Sequence, residues 1–213
     1  MVRVHTVVPE LSKTDILWIT NRIWFVFTGV IMQVTEKYVY GINQLTDAEY
    51  EKARKIILEL QHENAKLIEE GFGPFLAAVY DKNGNLIAKM PNTVAKDKCC
   101  LCHAEVNTLR KAHEKLQAYD LAPFDLELYV TAEPCIMCAG AIMWSGIKRV
   151  FYGVNSADVE KITGFDEGFK PDWINEFAKR NISVYGEIEP EAGREVLRKY
   201  VSSGKEIYKP SGV

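Results

Sequence analysis

Four residues in two clusters could do chemistry together: His103 and Glu105 in His103-Ala104-Glu105, and the two thiols of Cys135-Ile136-Met137-Cys138. A Cys-x-x-Cys pair at the expected start of a helix lets its sulfurs converge, and the helix N-terminus favours the thiolate. One imidazole and two thiolates make a zinc donor set whose fourth tetrahedral position stays open to water, which separates a catalytic site from a closed structural one. The two thiolates offset the metal's formal charge, so the water is activated less than at a three-histidine site and a base must assist. Glu105 stands two residues from His103, too close along the helix to share its face. From the first turn its side chain can still lean toward the open side, which suits a proton shuttle and not a fourth ligand.

A structural alternative uses the same thiols. Cys99-Cys100-Leu101-Cys102 is also a Cys-x-x-Cys and could join Cys135 and Cys138 in a four-cysteine zinc ribbon, an interaction module without turnover. Thirty-two residues lie between Cys102 and Cys135, against roughly 15 to 20 in ordinary ribbons. The three upstream cysteines are therefore expected as small apolar packing, with a redox pair of Cys99 and Cys102 as the alternative. Nothing in the spacing brings His5, His62 or His113 to the metal, and they receive no role. Trp144, on the helix after the cysteines, is expected either in the core or shaping a flat pocket.

The elements that must position these groups follow from periodicity. Thr46-x-x-Glu49 has the form of a capping box, and Ala53, Ile56, Ile57, Leu60, Leu67 and Ile68 follow at helical spacing up to Gly71-Phe72-Gly73-Pro74. Phe75 to Tyr80 and Asn85 to Ala88 read as a hairpin turned at Asp81-Lys82-Asn83-Gly84. A helix from near His103 presents Val106, Leu109, His113 and Leu116 on one face. Strand Leu126 to Thr131, helix Cys135 to Ser145 and strand Arg149 to Gly153 make a parallel crossover. Asp172 to Lys179 and Pro190 to Tyr200 read as helices around a strand at Ile182 to Tyr185. The sum is an α/β chain with helices on both faces of a mixed sheet: residues 1–43 as an N-terminal extension and 44–213 as one domain.

Composition removes several classes. The 213 residues are 47% hydrophobic and 26% charged, as in an ordinary globular chain rather than a disordered or collagenous one. Lys+Arg 26 against Asp+Glu 29 leaves −3, so there is no bulk positive field to collect a phosphate backbone. The segment from Glu189 to Lys209 holds five bases and four acids, a poor RNA tail. Five cysteines in two tight groups do not resemble a disulfide framework, so a reducing, cytoplasmic location is expected. The longest apolar run, Ile23 to Met32, has ten residues, where about 20 are needed to span a bilayer. With Glu10 and Asp15 before it and no small-x-small cleavage site after it, the run is expected to pack on the domain and not to act as a signal or anchor.

His-x-Glu followed by Pro-Cys-x-x-Cys is the pattern of zinc-dependent nucleobase deaminases. From about Thr46 onward, the order HAE and then AEPCIMCAGAIMWSGIKRVFYG resembles the cytidine-deaminase-like superfamily, most of all its guanine deaminases and their nucleoside-acting relatives. The resemblance implies a three-layer α/β/α sandwich around a mixed five-stranded sheet, usually a homodimer or larger. It implies zinc on His103, Cys135 and Cys138, with Glu105 as general acid and base. Gly164-Phe165-Asp166-Glu167 looks like the guanine-deaminase segment in which the second acid contacts the base, so Glu167 is the second catalytic candidate. Asn92 and Phe75 match pocket positions for hydrogen bonding and stacking, and Ala104 and Trp144 complete the candidate substrate-binding set with Tyr208. The C-terminal segments of bacterial guanine deaminases can exchange across a dimer, which would take Tyr208 to a partner's pocket. The expected reaction is attack of water on C2 of guanine, with Glu105 protonating N3 and Glu105 and Glu167 returning protons to the departing nitrogen. Guanosine, ammeline or cytosine are alternative substrates, and a tRNA adenosine deaminase is the nearest rival.

Overall fold

The computed structural model describes residues 45–208, and before them the backbone of four short strands. The chain divides into two compact units, Met1–Val39 and Tyr40–Val213. In the first, β1 (Asp15–Trp18), β2 (Arg22–Phe27) and β3 (Val30–Thr35) form an antiparallel sheet in chain order. The expectation that the N-terminal extension packs on the domain, and that Ile23 to Met32 is buried there, lies outside the described residues.

The second unit carries the clusters singled out above. Its elements are β4 (Val39–Tyr40, at the unit boundary), α1 (Asp47–Leu67), β5 (Leu76–Asp81), β6 (Leu86–Pro91), α2 (Val94–Asp97), α3 (Ala104–Leu116), β7 (Leu126–Ala132), α4 (Ile136–Ser145), β8 (Arg149–Val154), α5 (Ser156–Thr163), α6 (Trp173–Ala178), β9 (Ser183–Tyr185) and α7 (Pro190–Ser202). The sheet order is β4-β9-β8-β7-β5-β6, so the five longer strands make the expected mixed sheet with the two-residue β4 at its edge. β7, β8 and β9 run parallel, while β5 is antiparallel to both β6 and β7.

Helices cover both faces. α3, α4 and α6 pack on one side, α1 and α7 on the other, with α5 against α7. Every residue of β7 is buried, as a central strand covered on both sides must be. Alternation sends Leu126, Leu128 and Val130 into the core under α3 and α4. Tyr129, on the other face, stacks on Phe151, and Phe151 stacks on Tyr185, with centroids 4.6 and 4.8 Å apart. There Glu127 is buried but fully paired, accepting from Lys52, Arg149 and the Tyr129 hydroxyl at 2.7, 2.7 and 2.8 Å.

The capping box at Thr46 forms as read: Thr46 Oγ1 accepts from the Glu49 N–H at 3.2 Å and Glu49 accepts from the Thr46 N–H at 2.8 Å. The face expected for α3 is rotated. Leu109 is buried, but Val106, His113 and Leu116 are only half-buried, because Asn107 and Thr108 take the inner face. Asn107 spends its amide on the Pro91 and Cys102 carbonyls and the Thr93 hydroxyl, and Thr108 donates to the Ala77 carbonyl. His113 holds the end of α3 through Nδ1 and the Ala118 carbonyl at 2.7 Å, a structural use. α4 stops at Gly146, whose φ of 88° favours glycine and whose added Cβ would meet Asp120 Oδ1 at 2.4 Å.

Candidate active site

Two helix starts supply the metal donors. His103 is the N-cap of α3 and Cys135 the N-cap of α4, both with extended backbone, and Cys138 lies in the first turn of α4. These ends meet because β7 delivers the chain to α4 beside α3, which packs on β5 and β6. His103 Nδ1 is 3.6 Å from Cys135 Sγ and 3.5 Å from Cys138 Sγ. A tetrahedral zinc bonded at about 2.3 Å to sulfur and about 2.0 Å to nitrogen holds such donors about 3.5 Å apart, so the spacing fits the ion. Among the described residues these three are the group of His, Cys, Asp or Glu donors that could hold a metal ion.

The donors are electrostatically coupled. The hydrogen bond with Cys138, aided by His103, lowers Cys135 to about 4. Cys138 moves up instead, through its hydrogen bond with Cys135 and its burial. Burial opposes a charged imidazole at His103, but its bond to Cys135 and the Glu105 charge outweigh that and raise it.

Glu105 is 6% exposed, and burial, then the Cys135 charge, lifts its carboxyl to about 7. It lines the same cavity as His103 and Cys135. Glu167 reaches that cavity from the loop after α5 and is raised to about 8, by burial first and then by the Cys135 and Glu133 charges. Two acids separated by sixty-two positions therefore share one cavity with the metal donors His103 and Cys135. The Glu167 loop is tied down by a residue the sequence reading passed over: Glu160 Oε1 accepts from the Glu167 N–H at 3.2 Å while Oε2 pairs with Lys170 at 2.5 Å. Glu133, also missed, accepts from the Ser156 N–H at 2.9 Å and anchors the start of α5. Its place immediately before Pro134-Cys135 was the available signal.

Asn92 and Phe75 both line the cavity. Asn92 Oδ1 accepts from the Val94 N–H at 3.1 Å, which fixes the amide and leaves Nδ2 as its donor. Gly73 sits against it, with an added Cβ 2.8 Å from Oδ1. Within the single chain Tyr208 lines this cavity. The tail is held there by the Tyr200 hydroxyl donating to the Glu206 carbonyl at 2.5 Å.

Two expected substrate contacts are not brought to the site. Trp144 is 82% exposed and absent from the cavity wall. Two positions beyond the buried Ile142, it points to the opposite side of α4. Ala104 is fully buried in the core under the sheet, so its methyl packs there and does not face the cavity. The four-cysteine ribbon does not form either, since Cys99 and Cys102 lie outside the donor group. Nor are those cysteines simple packing: Cys100 is exposed, and Cys99 and Cys102 are half-buried. His62 is exposed, and His5 lies outside the described residues.

Residues 48–154 match the family described as the cytidine and deoxycytidylate deaminase zinc-binding region. The chain belongs to this family. Bacillus subtilis guanine deaminase is 41% identical over 102 residues, 48% of this chain and 64% of that protein. A tRNA-specific adenosine deaminase of Rickettsia typhi is 38% identical over 79 residues, 37% of this chain and 52% of its own. The chain thus spans less than two thirds of these curated relatives. A solved guanine deaminase from Nitrosomonas europaea is similar with a TM-score of 0.64 and 38% identity, over 70% of this chain and 82% of that one. A structure in complex with 2,6-diaminopurine reaches 0.67 and 37%, over 78% and 88%. As a member of a zinc-binding deaminase family, the chain carries that metal's donors in His103, Cys135 and Cys138. Among the described residues no helix is long and apolar enough to cross a membrane.

Proposed function

We propose that this chain hydrolytically removes the 2-amino group of guanine, giving xanthine and ammonia. The reading rests on one observation above the others: Glu105 and Glu167 open into the same cavity beside the metal donors. The guanine deaminases among its relatives and the purine complex among the similar structures support it.

His103, Cys135 and Cys138 would hold zinc, whose chemistry when bound is to lower the pKa of water and so supply a nucleophile near neutral pH. Glu105, buried on the cavity wall beside His103 and Cys135, is suited to take a proton from water and deliver it to ring N3. Guanine presents donors at N1 and at its 2-amino group, and the Glu167 carboxylate can accept from both. Because burial favours its protonated form, Glu167 can also take up a proton during the reaction and return it to the departing nitrogen. Phe75 offers a flat apolar wall and Asn92 Nδ2 a donor to an acceptor on the purine.

Ammonia release from guanine, guanosine, ammeline, cytosine, adenosine and a tRNA anticodon stem tests the assignment. Guanine is expected to lead. Turnover confined to the tRNA stem would transfer the site to the rival reaction, and no turnover of any of them by zinc-loaded protein would remove the activity.

A further inference from the structure

Cys99 and Cys102 have no part in the metal site or the proposed reaction, yet they are held together. The Cys102 N–H donates to the Cys99 carbonyl at 3.1 Å, closing a β-turn over Cys100 and Leu101. The ends of such a turn lie within about 7 Å, overlapping the Cα separation of roughly 4.4 to 6.8 Å that a disulfide needs. The two thiols stand at the ends of this turn, near enough for each to act on the other electrostatically. Both cysteines are half-buried and carry free thiols, within reach of a small oxidant. We infer that Cys99 and Cys102 are a reversible dithiol–disulfide couple, built into the segment that joins the cavity wall at Asn92 to the metal donor His103.

The partner is a low-molecular-weight disulfide. The Cys99 sulfur attacks one of its sulfurs, breaking that S–S bond, and the first small thiol leaves with the Cys99 proton. The Cys102 sulfur then attacks Cys99 in the mixed disulfide, the protein S–S bond forms, and the second small thiol leaves with the Cys102 proton. Two protein thiols are oxidised and one small disulfide is reduced to two thiols. Oxidation ties the two ends of the turn covalently, next to Thr93, whose N–H is bonded to the Cys102 carbonyl. The segment is otherwise fastened by backbone, with the Thr93 N–H and Asn107 Nδ2 donating to the Cys102 carbonyl at 2.9 and 3.2 Å. The turn therefore persists in either state. In a reducing compartment, couples of this kind are transient and sensing in character rather than permanent staples.

The test equilibrates the zinc-loaded full chain in glutathione buffers from reducing to oxidising, followed by acid quench, alkylation and peptide mapping. The tryptic peptide 99–110 carries all three upstream cysteines. It should lose two hydrogens with Cys100 still alkylated, regain them on reduction, and leave zinc content unchanged. Cys100→Ser should keep the couple and Cys99→Ser should abolish it. Full alkylation of Cys99 and Cys102 in the most oxidising buffer would overturn the inference, and so would a bond recruiting Cys100, Cys135 or Cys138 in their place. Neither result depends on which substrate the enzyme turns over.

Discussion

Replacing Glu105 with glutamine should slow deamination and, in the metal-free chain, strengthen the fold above neutral pH. Burial raises the Glu105 carboxyl from 4.5 to about 7. The folded chain therefore grips this proton more tightly than the unfolded chain does. Stability from the protonated group is fully present below pH 4.5 and is lost as pH rises through about 7. At about 1.4 kcal/mol per pH unit the loss amounts to about 3 kcal/mol. Glutamine keeps the shape of the protonated acid and never pays this desolvation, so the two metal-free proteins should match in mild acid and diverge by up to about 3 kcal/mol near pH 8. Urea unfolding in a chelator, from mild acid to mild alkali, reads this as a growing difference in midpoint. In the zinc-loaded protein the same substitution should cost about 100- to 10,000-fold in turnover, the range for a positioned acid–base group. Parallel stability profiles would show that the Glu105 carboxyl is not desolvated. Undiminished turnover with zinc retained would show that it shuttles no proton.

Further expectations follow from the same geometry. Glu167→Gln should lower kcat for guanine about 100-fold or more with zinc content unchanged, read by steady-state kinetics and metal analysis; unchanged kinetics would take the residue out of the site. Glu160→Ala frees the Glu167 N–H and Lys170, and should lower kcat/KM about tenfold, while Glu160→Gln keeps an acceptor for that N–H and recovers most of the loss. Gly73→Ala puts a methyl 2.8 Å from Asn92 Oδ1, so KM for guanine should rise with zinc retained, and an unaltered KM would show that Asn92 does not touch the base.

Much of this architecture was legible because local chemistry and tertiary need coincide. Thr46 and Glu49 announce α1, and Cys135 and His103 fall at helix starts where the caps leave their side chains free to converge. The parallel β7–α4–β8 unit followed from apolar runs around a helix without charges. Other features depend on neighbours that a linear reading does not place. α2 is a single turn begun by the Asn92 side chain, and α5 is held by an Asn155 cap and by Glu133 from another element. Trp144 looks like a pocket aromatic in sequence, but the buried positions Cys138, Ile142 and Ser145 turn it outward. Ala104 faces the core although both its neighbours face the cavity, because successive helical positions point in different directions. Glu160 was invisible for a related reason: its function is a bond to the backbone of Glu167, which identity at position 160 alone does not reveal.

X-ray absorption at the zinc edge, on the loaded full chain, bears most directly on the whole account. Two sulfur and two lighter donors are predicted, unchanged by Cys99→Ser or Cys102→Ser, with one sulfur lost in any zinc retained by Cys135→Ser. Four sulfur donors, or a signal that follows Cys99 and Cys102, would contradict a site built from His103, Cys135 and Cys138 with a place kept open for water.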